Sequence, residues 1–377
     1  MAKSKNEAEK PLTMTERMVY DQALESLRGE IRILKSKYKI AIRSRETQRL
    51  ILEANAESIE ALPRVKSPGP IILNPKTGKT TESAVLVGSC WHIGEVINKE
   101  EMGGLNEYNF DVFVRRLQFL IGKAIKFTQQ NMAMYNFEEL HVLLTGDMVS
   151  GIIHEELAET NDLTIVEQAT LGAFVTAQAI QELAQAFPKV KVTCVVGNHG
   201  RVTQKKYFKH KQSVSWDYIF YTNLALLLKK QPNVSFNIPK SFWTLVNIQG
   251  WNFLVMHGDL IKSWGSIPFY GINREVAKWV KIKASQDTFF NYTVMSHFHT
   301  FAMLQSPTGE DILNGSLKGG DEYAAGLGLF NDPVQILFGV HPRYGKTWQL
   351  PINTKHAEDT PRASRYKYDK TRSIANQ

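Results

Sequence analysis

Five apolar runs of this chain end on residues that can hold a cation or move a proton. Residues 84–88 (AVLVG) lead into Cys90-Trp91-His92, and 141–145 (HVLLT) into Gly146-Asp147-Met148-Val149-Ser150. Residues 192–196 (VTCVV) lead into Gly197-Asn198-His199-Gly200, and 253–256 (FLVM) into His257-Gly258-Asp259. A fifth run, 292–295 (YTVM), ends at Ser296-His297-Phe298-His299. Five of the ten histidines stand at these ends. In open α/β sheets, functional groups gather beyond the carboxyl ends of strands. Imidazole, carboxylate and amide oxygen in that place suit a divalent-metal centre. A lone strand-end histidine or Gly-Asp turn has an ordinary structural explanation; all of them in one chain do not.

The order of these motifs resembles the calcineurin-like metallophosphoesterase superfamily. Its pattern is Asp-x-His, then Gly-Asp-x-x-Asp/Asn, then Gly-Asn-His-Asp/Glu, then His, then Gly-His-x-His. The resemblance covers about residues 84–300. The stretch Asn314-Gly315-Ser316-Leu317, with Asp321-Glu322-Tyr323-Ala324, and the run 197–201 are similar to bacteriophage-encoded members of the repair-nuclease branch. The resemblance implies a sandwich of two mixed β-sheets flanked by helices and two divalent metals, Mn2+ first and Zn2+ or Fe2+ as alternatives. Carried over by motif, Asp147 bridges the metals. Cys90, His92 and His299 serve the first. Asn198, His257 and His297 serve the second. His199 faces the leaving group, where a protonated imidazole would stabilise charge or donate a proton. Two such cations clamp a phosphate and activate a water.

The chain departs from that pattern at four places. Cys90 stands where the family has Asp; a thiolate is softer and favours Zn or Fe over Mn or Mg. Cys90 ligates, stands beside a weakly held metal, or marks a site crippled by nature or by engineering; nearby Glu95 is a possible assistant. Ser150 replaces Asp or Asn. Gly200 replaces the acid after His199 and removes a partner that would orient it. Ser296 replaces Gly.

The densest basic run of the core follows His199 directly: Arg201, Lys205, Lys206, Lys209 and Lys211, with Tyr207 and Phe208 interleaved. Lysine and arginine pair with phosphates and aromatic rings stack on bases. A solvated loop is the plain alternative. Arg274, Lys278, Lys281 and Lys283 extend a basic face, or line the exposed side of a helix with Val276, Trp279 and Val280 inward. Trp264 and Tyr270 line a cleft or the core. The expectation is a nucleic-acid phosphodiesterase acting on DNA rather than RNA. The alternatives are a small-substrate phosphatase or cyclic-nucleotide phosphodiesterase, and a silenced nucleic-acid or replication-complex binding protein.

The elements that must carry these groups follow from periodicity. Strands expected at 84–88, 140–145 and 190–196 alternate with helices at 110–134, 164–187 and 217–230. Short strands at 234–256 with a turn at Gln249-Gly250, a helix at 268–285 and strands at 290–314 complete an α/β metallophosphoesterase domain, 84–353. Residues 1–62 form an N-terminal helical extension. In it Tyr20, Leu24, Leu27, Ile31, Leu34, Tyr38 and Ala41 alternate spacings of four and three, a heptad seam for self-association or for packing on the body, flanked by basic residues able to touch nucleic acid. A linker, 63–83, and a basic, disordered tail, 354–377, are expected. The 377 residues, 43% hydrophobic and 22% charged with net charge +8, exclude wholesale disorder and favour polyanionic partners. Two cysteines, no apolar run near ~20 residues and a polar N-terminus suggest a cytoplasmic protein, in host cytoplasm if viral, without a membrane partner.

Overall fold

The computed structural model describes residues 13–60, 79–203, 205, 208–262, 268–307, 309–359 and 365–368. The chain divides into two compact units, Met1–Pro75 and Lys76–Gln377. The described part of the first is one helix, α1 (Met14–Glu60). Its heptad positions Tyr20, Leu27, Ile31, Leu34 and Tyr38 are all exposed. Arg49 pairs with Glu46 and Glu53 one turn to either side. Most of the expected linker lies outside the described residues.

The second unit runs β1 (Thr80–Gly88), α2 (Phe110–Lys126), β2 (Tyr135–Leu144), α3 (Glu155–Thr160), α4 (Ile165–Ala186), β3 (Lys189–Cys194), α5 (Trp216–Leu227) and β4 (Val234–Asn237). It continues with β5 (Trp243–Ile248), β6 (Trp251–Met256), α6 (Phe269–Ala284), β7 (Tyr292–Met295), β8 (Ala302–Ser306) and β9 (Gly309–Leu313). Helix α7 (Glu322–Gly326), β10 (Val334–His341) and β11 (Gly345–Asn353) close it. One sheet has the order β11-β10-β1-β2-β3-β4, the other β5-β6-β7-β9-β8. In the first, β1 to β4 are parallel and β10 is antiparallel to β1. In the second, β6, β7 and β9 are parallel, with antiparallel β5 and β8 at the edges. Both sheets are mixed, as expected.

The apolar runs are continuous because their strands are buried on both faces. Along β1, Val85 and Val87 enter the core between the sheets with Val255, Val294 and Phe338, while Ala84 and Leu86 join α2, α4 and α5 in the outer core. The outer face of the second sheet packs Leu254, Met256 and Met295 against Ile272 and Trp279 of α6. The layers are therefore helix, sheet, sheet, helix. Parallel β1, β2 and β3 and parallel β6 and β7 bring five strand ends to one rim.

The structure corrects three expectations. Helix α2 ends at Lys126 and continues as a short π-helical turn, Phe127–Asn131, before β2 begins at Tyr135. The C-terminal segment is not a free tail where described: Thr354–Asp359 is a 3-10 helix, Tyr366 is buried with its hydroxyl on Glu182 at 2.9 Å, and the Tyr368 hydroxyl donates to Asp111 at 2.7 Å. On α6, Lys283 is buried with its ammonium 3.7 Å from the Trp243 ring centroid and Val280 is exposed, not inward, while Arg274, Lys278 and Lys281 are exposed, Lys278 pairing with Glu275 at 3.0 Å. Tyr270 is exposed, and Trp264 lies outside the described residues.

Candidate metal centre

Five of the candidate ligands adopt left-handed backbone conformations: Cys90, His92, Asp147, His297 and His299 have φ between 47° and 72°. Each such residue costs on the order of 1 kcal/mol or more and persists only where its surroundings over-determine it. Here the strand ends turn sharply, which points these side chains into one depression instead of along the sheets.

Two groups of donors result. In the first, the Nε2 atoms of His92 and His299 face each other at 3.2 Å, and the Cys90 sulfur lies within 4.8 Å of both rings' donor atoms. In the second, His257 Nε2 lies 2.9 Å from Asp147 Oδ2 and 3.2 Å from Asn198 Oδ1. The His257 and His297 rings sit 5.2 Å apart. Asp147 touches both groups, being within 4.8 Å of Cys90 and His257 and also of His92 and His199. Side-chain nitrogens that converge in a buried place, with a carboxylate and a thiol beside them, are a donor set suited to a cation. The residues present thus fit the divalent metals that the motif order implies.

Three of the imidazoles have a partner behind the ring. The His257 Nδ1–H donates to the Thr145 carbonyl at 2.7 Å, leaving Nε2 for the site. The His199 Nδ1–H donates to the Ser150 carbonyl at 2.9 Å. The partner that Gly200 appeared to remove is thus supplied by the main chain of the other departing residue. His92 differs: its Nδ1 lies 3.2 Å from the buried Glu95 carboxylate.

Electrostatics follow from burial and neighbours. Burial pushes the Cys90 thiol up, and Asp147 pushes it further. Burial acts to raise Asp147, but the His257 ring beside it outweighs burial and holds the carboxyl well below its usual range. Burial, with His92 beside it, pushes His199 down to about 3. The metal-free chain therefore holds His199 neutral.

Asp217, Lys318 and Asp259 hold the site from behind. Asp217, at the start of α5, accepts four main-chain N–H bonds: from Asp147 at 3.0 Å, Gly197 at 2.9 Å, Met148 at 3.0 Å and Val149 at 3.3 Å. It ties the Asp147 loop to the Asn198 loop. Burial and then Asp147 push its carboxyl up to about 6. A Cβ at Gly200 would stand 2.7 Å from Ser215 Oγ and 3.0 Å from Asp217 Cγ, so this chain admits no acid there. Lys318, in the loop after β9, is buried between Glu95 and Asp321. Asp259 is buried and binds Lys211 at 2.6 Å, which removes Lys211 from the free basic run. The signal for Asp217 was hidden: Ser215 caps α5, and Ser-x-Asp reads as ordinary capping.

The candidate substrate residues divide. Arg201 is half-buried, donates to the Asn198 carbonyl at 2.8 Å and has its pKa lowered by burial while Asp147 and Asp259 pull it back. It belongs to the site rim. Lys205 and Lys209 are exposed, and Phe208 with them. Lys206 and Tyr207 lie outside the described residues.

The calcineurin-like phosphoesterase family model matches residues 84–341, most of the chain. The chain belongs to the calcineurin-like phosphoesterase family. Membership implies metal-dependent phosphoester hydrolysis. Among curated proteins, none matches. Similar solved structures include an archaeal phosphodiesterase (11% identity, TM-score 0.32, 71% of this chain and 99% of that one). A hypothetical protein from Pyrococcus horikoshii (11%, 0.36, 74% and 92%) and zinc-complexed Vps29 from Entamoeba histolytica (12%, 0.27, 72% and 99%) are others. Among the described residues, no helix is long and apolar enough to cross a membrane.

Proposed function

We propose that this phosphoesterase is a nuclease that hydrolyses phosphodiesters of DNA in preference to RNA, in the cytoplasm. The observation that carries the reading is the continuity of the donor set with a cationic rim: His199 and Arg201 lie on one turn, and exposed Lys205 and Lys209 follow. A net charge of +8 supports a polyanionic substrate.

In this reading Cys90, His92, His299 and Asp147 hold one cation, and Asp147, Asn198, His257 and His297 a second. Mn2+ suits the mixed oxygen and nitrogen donors of the second group; the thiol makes Zn2+ or Fe2+ the better match for the first. When bound, such cations clamp a phosphate and acidify a shared water. The chain's own residues do the rest. Asp147 and Asn198 are presented by loops that Asp217 fastens together. Arg201 meets the charge that grows on the phosphoryl oxygens. His199, anchored through Nδ1, keeps Nε2 to exchange a proton with the leaving oxygen. The exposed seam of α1 is the surface for self-association.

Cys90 favours one other reading, a nucleic-acid binding protein with a silenced site. End-labelled single- and double-stranded DNA, incubated with Mn2+ or Zn2+, separates the two. Cleavage that falls by a factor of about 100 or more in His199→Ala supports the nuclease. Binding without cleavage, in the chain and in Cys90→Asp alike, would establish the silenced protein instead.

A further inference from the structure

Behind the His92 ring stands an ionisable side chain, Glu95, that is itself held by others. The ring's Nε2 lies 3.2 Å from His299 Nε2; its Nδ1 and Glu95 Oε2 approach to 3.2 Å as an ion-pair contact, short of hydrogen-bond alignment, and these two buried atoms have no other hydrogen-bond partner. The other Glu95 oxygen, Oε1, accepts from the Lys318 ammonium, which also donates to Asp321 Oδ2 at 2.6 Å. Glu95 and Lys318 are 5% and 2% exposed, so neither charge has bulk water to fall back on. A buried pair without its partners is strongly unfavourable, so each group has a single usable orientation.

Lys318 is fixed from the main chain as well. Arg116 of α2 donates to the Leu317 carbonyl at 3.1 Å and the Lys318 carbonyl at 2.6 Å. Asn106 donates to the Lys318 and Gly320 carbonyls at 2.9 and 2.8 Å. On the other side, Leu317 N–H and Ser316 Oγ–H both donate to the Cys90 carbonyl, at 3.2 and 3.0 Å. The loop 314–320 therefore grips the Cys90–Glu95 turn through its backbone and through one ammonium.

A carboxylate only accepts hydrogen bonds and an ammonium only donates them. We propose that Lys318, by claiming one oxygen of Glu95, makes Glu95 a positioning residue that keeps His92 as the Nδ1–H tautomer, with the Nε2 lone pair directed at the first donor group. The consequence for the phosphoesterase reading is that first-metal affinity depends on a lysine that touches neither metal nor substrate. The inference rests on His92 being a ligand, but its central claim concerns the metal-free chain.

The orientation logic gives a test with a sign. In Glu95→Gln, the ammonium still demands an oxygen, so the amide oxygen turns to Lys318 and the NH2 group to His92. Nδ1 must then accept, and the ring becomes the Nε2–H tautomer, unable to ligate. In Glu95→Gln with Lys318→Met, that demand is gone and the amide oxygen is free to return to Nδ1–H. The measurement is the 15N shift pattern of the His92 ring in the metal-free chain at pH 8, with thermal melts confirming folded protein. The expected result is Nδ1–H in the parent, Nε2–H in Glu95→Gln and Nδ1–H again in the double variant. Zn2+ alone, titrated against a chelator, should bind the first group about 10- to 100-fold more weakly in Glu95→Gln and recover in the double variant. An unchanged tautomer in folded Glu95→Gln, or no return in the double variant, overturns the proposal. If the tautomers follow the prediction while Zn2+ affinity never moves, the relay stands and His92 as a ligand fails.

Discussion

His92 and His257 sit in the two halves of one centre and are held in opposite ways. His257 leans on a main-chain carbonyl, Thr145, inside the loop that also carries Asp147. His92 leans on Glu95, Lys318 and Asp321, a chain of buried charges assembled from segments more than two hundred residues apart. The second half keeps the family's ligand residues and draws its order from the backbone, with an anion, Asp217, behind it. The first half has lost the family's acid to Cys90 and has a cation behind it. A carbonyl has one protonation state and cannot reorient without the sheet moving. A side-chain relay can be altered by a single substitution. The first half should therefore be the tunable part of the site and the second the rigid part.

The largest expected effect tests the rigid half. Asp217→Ala strips four N–H groups of their acceptor at the junction of two loops. It should cost roughly 3–5 kcal/mol of stability, read by denaturant unfolding. A loss below about 1 kcal/mol would mean that the loops hold themselves.

A pH titration of stability sharpens the contrast. In the metal-free chain His199 protonates near 3, below an unfolded value of about 6.5. Between these values the unfolded chain binds a proton that the folded chain refuses, so stability is full above 6.5 and falls as pH drops toward 3. The slope is about 1.4 kcal/mol per pH unit for this one group. Asp217, raised to about 6, works against it between about 4 and 6, because there the folded chain holds the extra proton. His199→Gln should flatten the acid limb, and Asp217→Asn should steepen what remains. The same acid limb in His199→Gln as in the parent would contradict the assignment.

The smallest effect lies outside both halves. Lys205→Ala and Lys209→Ala should each reduce the salt slope of DNA binding by about 0.7–0.9, leaving cleavage per bound complex near the parent value. A slope unchanged in the double variant removes the loop from the substrate surface.

Much of this was legible in the sequence because strand ends carry their chemistry in adjacent residues. The runs AVLVG, HVLLT, VTCVV, FLVM and YTVM each named a strand and the side chains beyond it, and the two mixed sheets were what the family resemblance implied. What escaped was contact at long range. Asp217 looked like a capping residue, and Lys318 like one residue of a glycine-rich loop. The buried Lys283 looked like one more surface charge on α6. Nothing local distinguishes a lysine that ends in solvent from one that ends on a buried glutamate. The C-terminal segment misled for the same reason: its basic composition suggested a free tail, while Tyr366 and Tyr368 anchor it to α4 and α2.

The central claim is that the half built around Cys90 still binds a metal. The most direct measurement is the number of Zn2+ ions retained per chain, by native mass spectrometry, in the parent and in Cys90→Ser. The account predicts two in the parent and one in the variant, with the remaining ion lost on Asp147→Asn. One ion in the parent, unchanged by Cys90→Ser, would contradict it.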